Sequence, residues 1–418
     1  MKELLPKLKY HKVFVLFAVV LSLTIIIVEN INGRFNLNDF KVYYEAASAL
    51  LSENQVYGIP FGLKTGYYKY SPATLLFFLP YCAFSFGVAK VLHFIVLACC
   101  AISTIVFLHY LVRRWVNKGK VTNAILAVTF LCILVHMVRE LHLGNINIVL
   151  VAFVSAALYY IAGGREKRAG WLLGFVFVTK PYFLILLLPL VLHQKRVTLL
   201  HVTLSFVFFA LAPAAVVGFS DNIALHQDWF KAVMAHNSYL ESDNTIASIL
   251  QVYTSLEIPQ YFTLHLLIAL GLVYVAVFWR NRKHAVLLGE ESKDTMGRLM
   301  MMECFVLIAI IPNLVITDTE HFLYALPVIV MLLRFLQEQK NTPLLVGFIV
   351  VILLYGANSS DFVGKYMAKQ LDHFGALGIS NLLLISLMGY FVYYREVKAL
   401  VSDATERLRQ TSVGSLKH

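Results

Sequence analysis

Apolar runs of about 15 to 25 residues recur along this chain, and short polar segments separate them. Runs of this length suit helices that cross the hydrocarbon core of a bilayer. The first run, at 13–28, is followed by Glu29 and Asn30 rather than by the small residues of a cleavage site, so we expect a retained span. The pattern predicts an all-α polytopic membrane protein with about 12 spans.

Basic residues cluster between the apolar runs and predict how the spans are oriented. The clusters lie at 7–9, 113–120, 165–168, 195–196, 280–283 and from 395 onward. The positive-inside rule assigns all of them to the cytoplasm. Both termini are therefore predicted to be cytoplasmic, and the segments 30–87 and 220–259 are predicted to form the outer, active-site face.

Two apolar runs do not fit a single straight crossing between these loops. The run 171–192 lies between two clusters assigned to the same side, and Lys180-Pro181 interrupts it. We therefore expect two short helices that meet at Lys180, whose side chain would point into a buried or wet cavity. The run 72–86 is interpreted as a re-entrant or juxtamembrane helix that precedes a span at 88–112.

An amphipathic helix is predicted directly after the first span. Its apolar residues recur at helical spacing, at Tyr43, Ala46, Ala47, Leu50 and Leu51. Such a helix would lie on the outer membrane surface. Asp39 stands at its start, where a helix N-cap and a catalytic carboxylate are both open and compatible interpretations.

The overall composition agrees with a membrane protein. The chain has 418 residues, of which 59% are hydrophobic and 14% are charged, and its mean hydropathy is +0.72. Soluble proteins have about 25% charged residues. We interpret residues 1–394 as a single transmembrane helical bundle and 395–418 as a short basic cytoplasmic tail. The net charge of +11 then follows from membrane topology, so no nucleic-acid partner is expected.

The five cysteines all lie in apolar runs. Their spacing matches neither a set of metal ligands nor the disulfide framework of a secreted domain. We therefore interpret them as small core residues.

Most polar residues that need an explanation fall on the predicted outer side. Ionisable groups at membrane depth or at the membrane edge are costly to bury, which makes them functional candidates. Besides Asp39, the candidates are Tyr70, Arg139, His142, Asn145, Asn147, Lys180, Asn244, Glu320 and His321.

Structural roles remain open for several of these candidates. Tyr70 could belong to an interfacial aromatic belt, and Arg139 could form a surface ion pair of little energetic value with Glu140. Lys180 is either paired with a carboxylate or in contact with an anion such as phosphate. The clustered acids of the outer turns could bind a metal, but solvated loops are the simpler interpretation.

The order of these motifs resembles that of the polytopic GT-C glycosyltransferases, and within them the GT87 family of polyprenyl-phosphate-mannose-dependent mannosyltransferases. The resemblance covers residues 10–395 and rests on Asp39-Phe40-Lys41-Val42-Tyr43-Tyr44, Tyr70-Ser71-Pro72, Gly144-Asn145-Ile146-Asn147, Lys180-Pro181, Asn244-Thr245-Ile246 and Glu320-His321. Ser71 and Asn145 stand where the family pattern has proline and glutamine, which could mark an altered sugar or acceptor.

The resemblance implies an enzyme that moves a hexose, with mannose as the first choice, from a polyprenyl-phosphate sugar donor to a lipid or glycan acceptor. The reaction would take place at the outer face of the cell (plasma or inner) membrane. Asp39 would act as general base on the acceptor hydroxyl in an inverting displacement. Lys180, Arg139 and His321 would bind the donor phosphate. The sugar or acceptor would contact Tyr70, His142, Asn145, Asn147, Asn244 and Glu320. No metal or other cofactor is expected, because basic side chains alone can hold a monophosphate donor.

Two other functions remain open. Broken helices also suit a transporter or flippase of lipid-linked sugars, although the polar groups cluster on one side and no inverted repeat is visible. The second alternative is an enzyme of the O-antigen polymerase or ligase type, which uses lipid diphosphate donors. Donor choice separates that alternative from a monophosphate-dependent transferase.

Overall fold

The computed structural model of the chain consists of α-helices and short 3-10 helices. It describes residues 4–52, 55–61, 66–115, 119–236, 243–259, 261–287, 293–315, 318–339 and 342–392. Within these ranges the only β pairing is an isolated antiparallel bridge between Pro60 and Tyr67. The predicted tail at 395–418 lies outside the described residues. The all-α prediction is confirmed for the part of the chain that the structure describes.

The N-terminal helices contain the first predicted span and the outer helix that follows it. They are α1 (Leu4–Tyr10), α2 (Lys12–Ile31), α3 (Asn38–Leu51), α4 (Pro72–Phe78) and α5 (Phe86–Trp115), with a 3-10 helix at Leu79–Ala83. The amphipathic helix predicted after the first span is thus confirmed as α3. Its N-cap is Leu37, in a left-handed conformation and without a side-chain hydrogen bond, whereas Asp39 lies in the first turn. The carboxyl group of Asp39 therefore does not cap the helix.

The middle helices include the break expected at Lys180. They are α6 (Asn123–Cys132), α7 (Leu134–Leu143), α8 (Asn147–Ala162), α9 (Glu166–Thr179), α10 (Leu187–Leu192), α11 (Arg196–Leu211), α12 (Ala214–Val217) and α13 (Phe219–His236), with a 3-10 helix at Pro181–Leu186. Lys180 has an extended backbone between α9 and the 3-10 helix, which confirms the predicted break. Pro181 explains the break, because proline disfavours a helical conformation at the preceding residue.

The C-terminal helices complete the bundle. They are α14 (Ile246–Thr254), α15 (Phe262–Leu287), α16 (Lys293–Ala309), α17 (Ile311–Leu314), α18 (Leu326–Gln339), α19 (Thr342–Tyr355), α20 (Ser360–Val363), α21 (Lys365–His373) and α22 (Ala376–Val392), with a 3-10 helix at Thr319–Ala325. The 3-10 helix and α18 are buried almost throughout, among α5, α16 and α22. This central position brings Glu320 and His321 into the protein interior.

The predicted number of membrane spans is not confirmed. Among the described residues, five helices are long and apolar enough to cross a membrane, at Lys12–Ile31, Phe86–Arg113, Arg196–Val217, Phe262–Arg280 and Thr319–Gln337. The number rises to seven if the bent pairs α6–α7 (66°) and α21–α22 (60°) each form one span. Several other apolar helices are shorter than the roughly 20 residues that a straight span needs, so the count of about twelve is not confirmed. The short helix at Pro72–Ala83 agrees with the re-entrant or juxtamembrane interpretation.

Two glycines allow α9 and α11 to pack closely. A Cβ atom at Gly170 would approach the Cβ of His201 to 2.5 Å, and one at Gly174 would approach the Cβ of Ser205 to 2.4 Å. These distances are shorter than any normal carbon–carbon contact, so side chains at either glycine would force the helices apart. The contact anchors α9, whose C-terminal end carries Lys180.

Candidate active site

The turn between α7 and α8 positions the centre of the site. Gly144 ends α7 in a left-handed conformation (φ 73°), which glycine adopts without steric cost. A Cβ atom on Gly144 would lie 2.7 Å from the Cβ of Phe40 and 3.0 Å from that of Leu37. The turn therefore packs directly against the start of α3, and this close approach places Asn145 beside Asp39.

Asn145 connects two carboxyl groups with two phenols. Its Oδ1 accepts hydrogen bonds from the hydroxyl groups of Tyr70 (2.8 Å) and Tyr43 (3.3 Å). Its Nδ2 donates to Asp39 Oδ2 (3.0 Å) and to Glu320 Oε1 (3.3 Å). Burial raises the pKa of both tyrosines well above the ordinary value, so their hydroxyl groups stay protonated and act as donors. These donors fix the orientation of the amide and direct its NH2 group to the carboxyl groups.

Asp39 and Glu320 have different surroundings although one amide joins them. Glu320 is fully buried, and its Oε2 lies 3.2 Å from Nε of Arg139, a half-exposed side chain. Asp39 retains partial exposure. Burial raises the pKa of Asp39 to about 7, with further contributions from the negative charges of Glu320 and Asp318. Asp39 is therefore the more accessible of the two carboxyl groups, and it titrates near neutral pH.

Lys180 extends into a second buried cluster next to the first. Its Nζ donates to Asn147 Oδ1 at 2.6 Å and lies 2.9 Å from His321 Nε2 and 3.5 Å from the Tyr324 hydroxyl. The Nδ1 atom of His321 lies 3.2 Å from the carbonyl oxygen of Asp318. Both imidazole contacts fit a neutral ring that donates from Nδ1 and accepts at Nε2. His321 thus accepts a hydrogen bond from the lysine rather than carrying a second positive charge.

Tyr70 links the carboxyl cluster to the lysine cluster. Its hydroxyl donates to Asn145, and the centre of its ring lies 5.2 Å from Lys180 Nζ. The ring of Tyr182 lies 5.8 Å from the same ammonium group. Both distances fall within the range of cation–π attraction. The two clusters therefore form one site with a carboxyl group, a lysine and several neutral hydrogen-bonding groups.

Glu140 belongs to this site and does not form the surface pair with Arg139 that the sequence left open. Its side chain is fully buried, with Oε2 accepting from Asn147 Nδ2 and Oε1 accepting from the backbone N–H of Ile148, both at 2.9 Å. Its carbonyl oxygen also accepts from the backbone N–H of Gly144 at 2.8 Å. Glu140 thus holds both ends of the turn that carries the two asparagines.

Two predicted site residues lie in other environments. His142 Nδ1 is 2.6 Å from Glu29 Oε2, at the end of the first span. The side chain of Asn244 donates to Asp372 Oδ1 (3.1 Å) and accepts from the backbone N–H of Gly378 (3.0 Å). The structure therefore does not bring His142 and Asn244 into the cluster, and their contacts stabilise other parts of the fold.

Several residues of the cluster were absent from the predicted set. They are Tyr43, Lys69, Glu140, Tyr182 and Tyr324. Tyr43 belongs to the same sequence motif as Asp39, and Tyr182 follows the Lys180-Pro181 break, so both had a local signal. Nothing in the local sequence distinguishes Glu140 from a solvated turn residue.

Lys69 adds a second cation to the electrostatic environment of the site. Burial lowers its pKa, while the negative charges of Asp318, Asp39 and Glu320 oppose that shift. In return, Lys69 lowers the pKa of Asp39. The negative charges of the carboxyl groups are thus partly offset by Lys69 as well as by Lys180 and Arg139.

The acidic residues of the site do not assemble into a metal-binding group. Across the described ranges, no three His, Cys, Asp or Glu side chains are arranged to hold a metal ion. Glu320 is instead engaged by Arg139 and Asn145.

The apolar helices are typical of a helical membrane protein. The buried polar site contains groups suited to acid–base chemistry and anion binding. The sequence model of glycosyltransferase family 87 matches residues 68–306, more than half of the chain. The chain therefore belongs to glycosyltransferase family 87. The matched region includes Tyr70, Glu140, Asn145, Asn147 and Lys180, and the predicted family resemblance is confirmed.

Two solved structures resemble the chain over most of its length. They are crystal structures of ArnT from Cupriavidus metallidurans, one bound to undecaprenyl phosphate and one in the apo state. The first shares 14% sequence identity, covers 90% of this chain and 77% of the other, and has a TM-score of 0.41. The second shares 13% identity, covers 91% and 77%, and has a TM-score of 0.39. No curated protein matches the sequence. The family assignment therefore rests on the family model.

Proposed function

We propose that this protein is a membrane glycosyltransferase that moves a hexose, with mannose as the first candidate, from a polyprenyl-phosphate sugar to a lipid or glycan acceptor. The observation that carries the proposal is the joint position of Asp39 and Lys180. Asn145 and Tyr70 connect a carboxyl group that titrates near neutral pH to a buried lysine. A base beside a cation is what transfer from a phosphate-linked donor needs.

Asp39 is the proposed general base. The acceptor hydroxyl attacks the anomeric carbon of the donor, and Asp39 takes the hydroxyl proton as the new glycosidic bond forms. The bond between the anomeric carbon and the phosphate oxygen breaks at the same time, so the configuration inverts. Asn145 holds Oδ2 of Asp39, and within the described part of the chain Oδ1 has no hydrogen-bond partner. Oδ1 can therefore accept the hydroxyl proton.

Lys180 is the proposed ligand of the donor phosphate. The leaving phosphate gains negative charge as its bond to the sugar breaks, and a fixed ammonium group stabilises that charge. His321 and Tyr324 hold the ammonium group in place. Arg139 is half exposed beside Glu320 and can reach an incoming anion without leaving the site.

An apolar groove beside the site supports a lipid-linked donor. It lies between α11 and α13, has a volume of about 570 Å³, and is lined by Ala210, Leu211, Asn222, Ile223, His226, Gln227, Phe230 and Lys231. The indole N–H of Trp229, on α13, donates to the carbonyl oxygen of Lys69, the neighbour of Tyr70. Leu204 and Phe208 of α11 are exposed where bilayer hydrocarbon would cover them. We assign the groove to the hydrocarbon chain of the donor.

Transfer assays with purified protein test the proposed reaction. Wild type, Asp39→Asn and Asp361→Asn would be incubated with a panel of polyprenyl-phosphate and polyprenyl-diphosphate sugars and a range of acceptors. We expect transfer from a monophosphate donor, a loss of about 10²- to 10⁴-fold in Asp39→Asn, and no change in Asp361→Asn, an exposed residue on α20. Transfer from diphosphate donors alone, or full activity in a folded Asp39→Asn protein, would reject the assignment.

The proposal also places the site on the outer face of the cell membrane, with cytoplasmic termini. Single cysteines at Gln55 and Lys167, in a cysteine-free background, test this orientation, because both residues are exposed and lie on predicted opposite sides. A membrane-impermeant maleimide should label the cysteine at 55 in intact cells, and the cysteine at 167 only after lysis. The reverse pattern would place the site in the cytoplasm.

A further inference from the structure

Glu140 and Lys180 are a buried acid and a buried base that do not touch. Asn147 lies between them, donating from Nδ2 to Glu140 Oε2 at 2.9 Å and accepting at Oδ1 from Lys180 Nζ at 2.6 Å. All three side chains are at least 96% buried. The two oxygens of Glu140 accept from two N–H donors, as an ionised carboxylate does. The contacts are those of an ionised carboxylate and a protonated amine, with a neutral amide between them.

The contacts of Glu140 determine which way the Asn147 amide faces. Because the NH2 group donates to Glu140, the oxygen must face the other side, where it accepts from Lys180 and from the Tyr324 hydroxyl, each at 2.6 Å. The opposite orientation would direct the NH2 group at the ammonium group, donor against donor. Glu140 is itself held by the backbone N–H of Ile148, at the start of α8.

We propose that Glu140 is a positioning residue for donor binding, which orients and balances the Lys180 ammonium group through Asn147 without contacting it. The inference rests on the proposed function, since it assigns the anion that Lys180 receives to the donor phosphate. A carboxylate in direct contact would compete with that phosphate for the ammonium group. An intervening amide roughly doubles the separation of the two charges, and because Coulomb energy is inversely proportional to distance, it roughly halves their attraction. Lys180 therefore keeps a counter-charge in the empty site and remains available to the donor.

Two variants separate this role from a purely structural one. Glu140→Gln keeps the shape of the side chain and removes its charge, and its amide competes with the arrangement that orients Asn147. The double variant Glu140→Gln/Asn147→Asp moves the carboxylate next to Lys180. There the new amide at position 140 can donate to that carboxylate. Tyr324 and Lys180 can still donate hydrogen bonds to the side chain at position 147. The double variant thus retains the buried charge balance and loses only the bridging amide.

Glu166→Gln is the matched control. Glu166 lies at the start of α9, and its carboxylate is 3.7 Å from Lys195. Lys180 follows the other end of the same helix, about 20 Å away at 1.5 Å per residue. The control loses the same charge without affecting the site.

The experiment measures the affinity of each purified variant for undecaprenyl phosphate in detergent, its melting temperature, and its KM and kcat for the donor. We expect Glu140→Gln to bind about 10- to 100-fold more weakly and to show this loss in the donor KM more than in kcat. The double variant should melt near the wild-type temperature and still bind about tenfold more weakly or worse. Glu166→Gln should match the wild type.

Each contrary result has a distinct meaning. Wild-type affinity in Glu140→Gln would show that the carboxylate does not act on Lys180, and wild-type affinity in the double variant would show that the bridge is not needed. If Glu140→Gln fails to fold, the double variant decides alone, and its own failure to fold also overturns the proposal, because its charge balance is retained. Absence of binding by the wild type would reject the phosphate assignment itself.

Discussion

Asn145 donates a 3.0 Å hydrogen bond to Asp39 across 106 residues of sequence. The same NH2 group also contacts Glu320, and the amide oxygen is occupied by Tyr43 and Tyr70. The amide cannot rotate to satisfy one carboxyl group better without losing its contacts to the phenols. Asp39 is therefore held in a fixed position, and its burial, together with the negative charges of Glu320 and Asp318, raises its pKa to about 7.

Activity should depend on the ionisation of Asp39. Burial and the neighbouring acids raise its pKa to about 7, so the base form is half populated near pH 7. Below that value, kcat/KM should fall about tenfold per pH unit as Asp39 becomes protonated. A pH–rate profile between pH 5 and 9 measures this midpoint. A profile that is flat between pH 5 and 7 would show that no group with a pKa near 7 acts as the base, and would contradict the raised pKa of Asp39.

Asn145→Asp should shift the pH profile upward. The substitution keeps an acceptor for the two tyrosine hydroxyl groups but replaces the NH2 donor with a third carboxyl group beside Asp39 and Glu320. A like charge at this distance raises the pKa of a neighbouring carboxyl group. The midpoint of the pH profile of kcat/KM should therefore rise by about one pH unit or more. An unchanged midpoint in a folded variant would show that Asn145 does not control the ionisation of Asp39.

Removal of the Lys180 charge should weaken donor binding. In Lys180→Gln, the donor phosphate loses a charge-assisted contact, and the donor KM should rise about 10- to 100-fold. Lys195→Gln is the control, because Lys195 pairs with Glu166 at the other end of α9. Initial rates at varied donor concentration distinguish the two variants. Equal donor KM values for Lys180→Gln and the wild type would show that Lys180 does not bind the donor phosphate.

The features that could be predicted from sequence are those set by local chemistry. The break at Lys180 follows from the proline after it, and α3 follows from the spacing of its apolar residues. The number of spans could not be predicted in the same way. Apolarity marks a segment as buried in lipid or in protein, and it does not distinguish a span from a short buried helix.

The contacts of the site depended on long-range packing. Arg139 and Glu140 are neighbours in sequence, but successive residues point about 100° apart around a helix. Arg139 therefore reaches Glu320, whereas Glu140 reaches Asn147. Local pattern cannot show which distant element each side chain meets, which is also why Glu140 was missed.

Gly144→Ala should destabilise the protein and misplace the site. An alanine in the left-handed conformation costs about 1–2 kcal/mol, and its Cβ would also overlap Phe40 at 2.7 Å. We expect a lower melting temperature and a lower kcat/KM, because the turn can no longer hold Asn145 against α3. Gly347→Ala is the control, since its added Cβ has no atom within 4 Å beyond the adjacent residues and backbone of its own helix. That helical substitution should be neutral or stabilising by up to about 1 kcal/mol.

The groove between α11 and α13 should make activity depend on donor chain length. Ile223→Trp adds a large side chain to a groove of about 570 Å³, and it should raise the donor KM about tenfold for a long polyprenyl chain, because the chain loses buried apolar area. A water-soluble donor analogue with a very short chain does not reach the groove, so its KM should not change. Phe362→Trp, at an exposed position on α20, is the control. An equal rise in KM for long and short donors would mean that the substitution disturbs the site itself. No rise in KM for either donor would show that the groove does not bind the hydrocarbon chain of the donor.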